Sequence, residues 1–145
     1  MSRDGDYYVD IATLNVYQKR NGVWTFIANW QTTTGGSSLN YHKVSVAGAN
    51  AANVKASAGR VVGWNLFNNA GYPVYVKLHD TASTPTPGTG VVSTIGVQAG
   101  MSAPFSSTTG IPFASGIGIS IVRGITDSDA TPISVNDCVV DLEYI

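Results

Sequence analysis

No window of eleven or more residues in this chain sustains apolar side chains at i, i+3, i+4 and i+7, because glycine or a β-branched residue interrupts every such run. A helix built on that pattern would have no face to bury. Period-two alternation runs through the sequence instead. In RVVGWNLFN, Val62, Trp64 and Leu66 share one side, and in PVYVKLHD, Val74, Val76 and Leu78 alternate with Tyr75, Lys77 and His79. Ile117, Ile119 and Ile121 line up in GIGISIVR; Cys138, Val140, Leu142 and Tyr144 oppose Val139, Asp141, Glu143 and Ile145. Each run is short and bounded by Gly, Pro, Asn or Asp, as half-buried antiparallel strands are. The predicted class is all-β.

The strands predicted from residue 43 onward lie near Lys43–Val46, Asn53–Ala56, Val61–Asn68, Val74–His79, Val91–Val97, Ser102–Ser106, Gly116–Arg123 and Asp137–Tyr144. Short strands separated by turn signals fit an antiparallel β-sandwich, with jelly-roll order among the arrangements it allows. Asn68-Asn69-Ala70-Gly71 predicts a hairpin connection, since Asn and Gly tolerate positive φ. Thr84-Pro85-Thr86-Pro87-Gly88 predicts a projecting loop, because each proline removes a ladder donor.

The opening of the chain reads differently. Tyr7–Val9, Asn15–Gln18 and Val23–Ala28 predict a three-stranded β-meander with turns near Thr13–Leu14 and Arg20–Gly22. So small a sheet is near the limit of independent stability. The tract Gln31-Thr32-Thr33-Thr34-Gly35-Gly36-Ser37-Ser38 then reads as linker. The predicted layout is a meander module for attachment or oligomerisation over 1–30, a linker over 31–42 and a sandwich domain over 43–145.

Charge narrows the function. Eight basic and nine acidic residues make up only 12% of the chain, about half the usual ~25%. The longest basic run is Lys19-Arg20, which leaves no electrostatic footprint for nucleic acid. No apolar run approaches the ~18 residues of a membrane span, and no signal peptide is expected. The single cysteine, Cys138, sits within an apolar alternation and reads as a buried core residue.

Reactive groups are sparse, and neither an enzyme nor a cofactor is expected. His79 and Asp80 are neighbours on a strand and point to opposite faces. Ala99-Gly100-Met101-Ser102-Ala103 lacks the flanking glycines of a nucleophile elbow. Asp127-Ser128-Asp129 lacks the further acids of a calcium loop and reads as an Asx-rich turn. Gly88-Thr89-Gly90 starts like a dinucleotide fingerprint but lacks a third glycine and a following helix. Asp141 and Glu143, roughly 7 Å apart on one strand, read as a solvated sheet face. No metal site is predicted.

Aromatic residues remain. Tyr7, Tyr8, Tyr17, Trp24, Phe26 and Trp30 crowd the opening stretch. Alternation in VWTFIANW puts Trp24, Phe26, Ala28 and Trp30 on one face, which suits a core or an interface. These six are the predicted subunit or capsid contact, since aromatic anchors dominate interface energetics. The alternative is a sugar-stacking platform that uses Trp30 and Tyr41.

The opening stretch resembles a module of tailed-bacteriophage fibre and other virion proteins, with the pattern G-D-x-Y-x-[DN]-x-x-T-G-x-x-Y-x-[KR]-x-[NG]-G-x-W. Gly5, Asp6, Tyr8, Asp10, Thr13, Tyr17, Lys19, Asn21, Gly22 and Trp24 carry the match. Leu14 stands where the pattern has a turn glycine, which passes the positive-φ position to Asn15. The run from Val54 to Gly90 resembles phage virion β-sandwich domains, with Asp80, Ala82, Pro85 and Gly88 in the matching continuation. These resemblances imply a virion structural protein made in the host cytoplasm. The first expectation is a capsid decoration (cement or head-fibre) protein, a homotrimer bound to the major capsid protein or other virion proteins. The alternative is a tail-fibre or receptor-binding module that recognises a host-surface glycan. The resemblances transfer no catalytic residue.

Overall fold

The structure, a computed structural model, describes residues 3–10, 15–29 and 38–145. It divides into two compact units, Met1–Ser37 and Ser38–Ile145. No helix occurs among the described residues, and the all-β expectation holds.

The first unit is an antiparallel meander of β1 (Tyr7–Asp10), β2 (Asn15–Arg20) and β3 (Val23–Asn29), in that order. Asn21 (φ 50°) and Gly22 (φ 78°) turn β2 into β3 with both central residues left-handed, the tight hairpin that Asn-Gly favours. Asp4 fixes this turn, because its carboxylate accepts the amides of Asn21 (3.1 Å) and Gly22 (2.9 Å). The predicted turn at Thr13–Leu14 lies outside the described residues; Asn15 opens β2, opposite Asp10. Among the described residues of this unit, only Val16 is a buried apolar side chain.

The second unit is a sandwich of β4 (Leu39–Val44), β5 (Ala52–Lys55), β6 (Gly59–Asn68), β7 (Val74–Asp80), β8 (Val91–Val97), β9 (Ser102–Phe113), β10 (Ile117–Val122) and β11 (Cys138–Tyr144). One sheet runs β4-β11-β6-β9 and the other β5-β10-β7-β8. The antiparallel pairs β4·β11, β5·β10, β6·β9 and β7·β8 describe one long hairpin rolled upon itself, which is jelly-roll order. The two inner faces meet in a core of Val61, Leu66, Val74, Val76, Leu78, Ile117, Ile119, Ile121, Cys138, Val140 and Leu142, with Val97, Phe113 and Ile133 beside them.

Three features depart from the expectations. Residues Leu39–His42, read as linker, are strand: β4 pairs with β11 from Leu39↔Tyr144 onward. Asn68–Gly71 is no hairpin, because β6 and β7 belong to different sheets. Buried Asn68 makes the corner, donating to the carbonyls of Tyr72 (2.8 Å) and Val97 (2.9 Å) and accepting the Ala70 amide. The proline loop does not project. Pro85 is buried, and a β-carbon on Gly118 would stand 3.1 Å from its ring, so the loop lies against β10.

That loop and residues 123–132 cover the outer face of the β5-β10-β7-β8 sheet, and they meet where Gly88 (φ 81°) backs onto the Ser128 carbonyl. Lys77 and His79 lie under them, 0% and 1% exposed. The Lys77 ammonium donates to the carbonyls of Thr126, Asp129 (3.0 Å) and Asp127 (3.5 Å). His79 Nδ1 meets the Thr89 carbonyl at 3.0 Å and must donate there, so neutral Nε2 accepts from the Ser120 hydroxyl at 2.9 Å.

Burial is the main cause that lowers the His79 pKa; the Lys77 charge adds to it, and the backbone contacts of Thr89 and Gly90 oppose it. A histidine whose folded pKa is depressed stabilises the fold fully above its unfolded value, about 6.5. That contribution is lost as pH falls toward the folded value. In a ring-resolved NMR titration His79 is expected to protonate below the ordinary histidine range. Titration at or above that range would contradict the buried neutral assignment.

Candidate binding surface

The meander's surface follows from its register. Tyr8 stands opposite Tyr17 across β1 and β2, and Tyr17 opposite Phe26 across β2 and β3. Trp24 is paired with Lys19, one repeat along the same face. The rings touch in sequence: Trp24–Tyr8 at 6.0 Å between centroids, Tyr8–Tyr17 at 6.1 Å, and Tyr17–Phe26 at 5.8 Å in an edge-to-face arrangement. Such pairs contribute about 0.5–1.5 kcal/mol each beyond the area they bury. For a sheet with so little core, the ring ladder is a main source of cohesion.

The ladder is nonetheless open. Tyr8 is 53% exposed, Phe26 54% and Trp24 41%. Tyr8, Tyr17 and Trp24, with Asp10, line a hollow of about 330 Å³. Asp10 lies two residues beyond Tyr8 and so on the same side of β1. Spacing alone places Asp10 beside Tyr8, though nothing in the aromatic pattern points to it.

Of the six predicted contact residues, Tyr8, Tyr17, Trp24 and Phe26 come together on this face. Tyr7 does not. It points to the other face of β1, where Gln18 donates to its hydroxyl at 3.0 Å. Trp30 lies outside the described residues. A register shift between Val16 and Tyr17 also interrupts the simple alternation expected along VWTFIANW. Tyr41, expected as a stacking ring, faces inward. It pairs with buried Leu142 and packs against the core, and burial raises its pKa. Its place on β4, directly opposite buried Leu142, turns the ring toward the core.

Several ionisable groups of the sandwich are engaged by its own backbone and side chains. Asp80 accepts the amides of Ala114 (3.1 Å), Ser115 (2.7 Å) and Gly116 (3.2 Å), and those bonds, Ser115 first, hold its pKa down. Asp137 accepts from the Tyr72 hydroxyl and the Ser134 amide; the Tyr72 bond is the leading cause of its lowered pKa. The guanidinium of Arg123 sits 3.7 Å above the Tyr72 ring. At Asp129, burial pulls the pKa upward, but the bonds from Thr131 and Gly124 and the charge of Lys77 together bring it below the ordinary value. That carboxylate accepts the Thr131 amide at 3.0 Å, as an Asx turn does, and also the Thr131 hydroxyl at 2.9 Å and the Gly124 amide at 2.9 Å. Asp141 pairs with His42 across β4 and β11 at 2.6 Å. Buried Cys138, its pKa pushed up to about 11 by burial and by Asp137, is a thiol without a thiolate's reactivity. Among the described residues, no three His, Cys, Asp or Glu side chains converge as metal ligands.

No protein-family model matches the chain, and neither a curated protein nor a solved structure matches it.

Proposed function

We propose that this chain is a bacteriophage virion structural protein of the capsid-decoration type, which works by protein–protein contact and makes or breaks no bond. The observation that carries the reading is the open aromatic ladder of the meander. Tyr8, Trp24 and Phe26 are large apolar rings left exposed beside one another on one face. Clusters of this kind mark interaction sites. The low charge of the chain and the resemblance of its opening stretch to virion modules support the same reading. In this proposal the copies act as a homotrimer on the major capsid protein or another virion neighbour, so that several weak contacts add through multivalency.

A second reading has its own observation. The hollow beside Tyr8, Tyr17 and Trp24 combines ring faces with the Asp10 carboxylate, a pairing that can hold a sugar ring. It supports a tail-fibre or receptor-binding module that recognises host-surface glycan. The two readings differ in where the chain sits. Gradient-purified particles from cells carrying the gene are expected to contain the chain at repeated capsid positions; a tail-tip location supports the second reading, and absence from the particle contradicts both.

A further inference from the structure

Asn21-Gly22 is the one Asn-Gly pair in the chain, and both residues are exposed in the turn between β2 and β3. Such a pair carries its own chemistry. The Gly22 backbone nitrogen can attack the side-chain amide carbon of Asn21, because glycine has no β-carbon to crowd the approach. A new C–N bond closes a five-membered succinimide, and the side-chain nitrogen leaves as ammonia after taking up the proton that Gly22 gives up. Water then opens the ring at either carbonyl. One opening yields aspartate; the other yields isoaspartate, in which the main chain runs through the former side chain. The space beside Gly22 is open, since a β-carbon there would meet nothing within 4 Å.

The folded turn opposes the first step. The Gly22 N–H donates to one carboxylate oxygen of Asp4 at 2.9 Å, and the Asn21 N–H donates to the other at 3.1 Å. The attacking nitrogen must lose its proton, and a carboxylate that accepts this N–H holds the proton in place and repels the negative charge that develops. We propose that Asn21 is a self-modifying site with Asp4 as its guard: the ring closes only when the hairpin end opens and Gly22 leaves the carboxylate. The consequence reaches the ring ladder. Arg20↔Val23 and Lys19↔Trp24 are the pairs next to the turn, so the extra main-chain carbon of isoaspartate displaces Trp24 from Tyr8. The inference stands on the turn alone and is independent of what the ladder binds.

The test holds the full chain at mildly alkaline pH, folded in buffer or unfolded in urea, and reads conversion at Asn21 by peptide mapping with mass spectrometry. In urea, Asn21 is expected to convert ahead of every other asparagine. In buffer its rate should be lower by about tenfold or more, because only the opened hairpin reacts. Asp4→Ala should raise the folded rate about tenfold and leave the urea rate unchanged. Asp4→Asn keeps an acceptor oxygen without the charge, and its rate should fall between the two. Chain carrying isoaspartate, separated by ion exchange, should lose the Tyr8–Trp24 ring contact in NMR. Equal rates in buffer and urea, no conversion of Asn21 in urea, or folded rates that neither Asp4 variant raises overturn the proposal. The comparison of buffer with urea is made in the unsubstituted chain, so it decides even where Asp4→Ala loosens the meander.

Discussion

Replacing Lys77 with methionine is expected to lower the unfolding free energy of the sandwich by about 3 kcal/mol. Lys77 is fully buried on the outer side of β7, and its three N–H bonds are all directed at carbonyls of the segment 126–129. Methionine keeps most of the stem's volume but removes the donor that ties those loop carbonyls to β7. A hydrogen bond from a charged donor contributes about 1.5–3 kcal/mol, and water at the part-buried loop carbonyls recovers part of the loss. The loss therefore has a location. Hydrogen exchange should rise at Asp129 and Thr131, whose amides are tied into this loop, before it rises in β6 or β11. Urea unfolding with a change under 0.5 kcal/mol would mean that the ammonium contributes little, contrary to the geometry.

Ile119→Ala tests the other half of the fold, and a loss of about 3 kcal/mol is expected from it as well. Ile119 is fully buried in the middle of β10, between Ala52 of β5 and Leu78 of β7 in the ladder. Truncation removes three buried carbons and leaves a cavity, because rigid strands on both sides prevent closure. Ile119→Val should cost about 1 kcal/mol. Against a typical total of about 5–15 kcal/mol, either alanine or methionine variant removes a large fraction of the stability. The two sites are close, since Lys77 stands opposite Ser120, so the double variant need not show the sum of the single effects. Urea midpoints ordered as alanine, valine and isoleucine, from least to most stable, are the expected result. Equal midpoints for all three would contradict a close-packed core at Ile119.

Alternation made β7, β10 and β11 legible, since Val74, Val76, Leu78, Ile117, Ile119, Ile121, Cys138, Val140 and Leu142 are all buried as their spacing implied. It failed where a strand carries little apolar signal. β9 was expected to end at Ser106 but continues to Phe113 through Ser107, Thr108 and Thr109, with Gly110 (φ 67°) backed against the Val61 carbonyl. It failed again on the second face of β7. Lys77 and His79 alternate with apolar residues on a strand expected to be half-buried, and only loops distant in sequence cover that face. At the candidate site, the side-by-side placement of Tyr8, Tyr17, Trp24 and Phe26 could be read from strand spacing. The opposite orientation of Tyr7 follows from the same rule, because adjacent residues on a strand cannot share a face. The carboxylate of Asp10 is readable from its spacing to Tyr8, but the hollow depends on ring tilts, which no linear pattern encodes.

The central proposal is that the ring ladder holds the chain on a virion neighbour. The direct measurement is co-sedimentation with purified particles, comparing the unsubstituted chain with Tyr8→Ser/Phe26→Ser, in which Trp24 and Asp10 are kept. The unsubstituted chain should travel with the particles, while the variant, its sandwich still folded by near-UV circular dichroism, stays at the top of the gradient. Equal retention of both chains, or retention of neither, would contradict it.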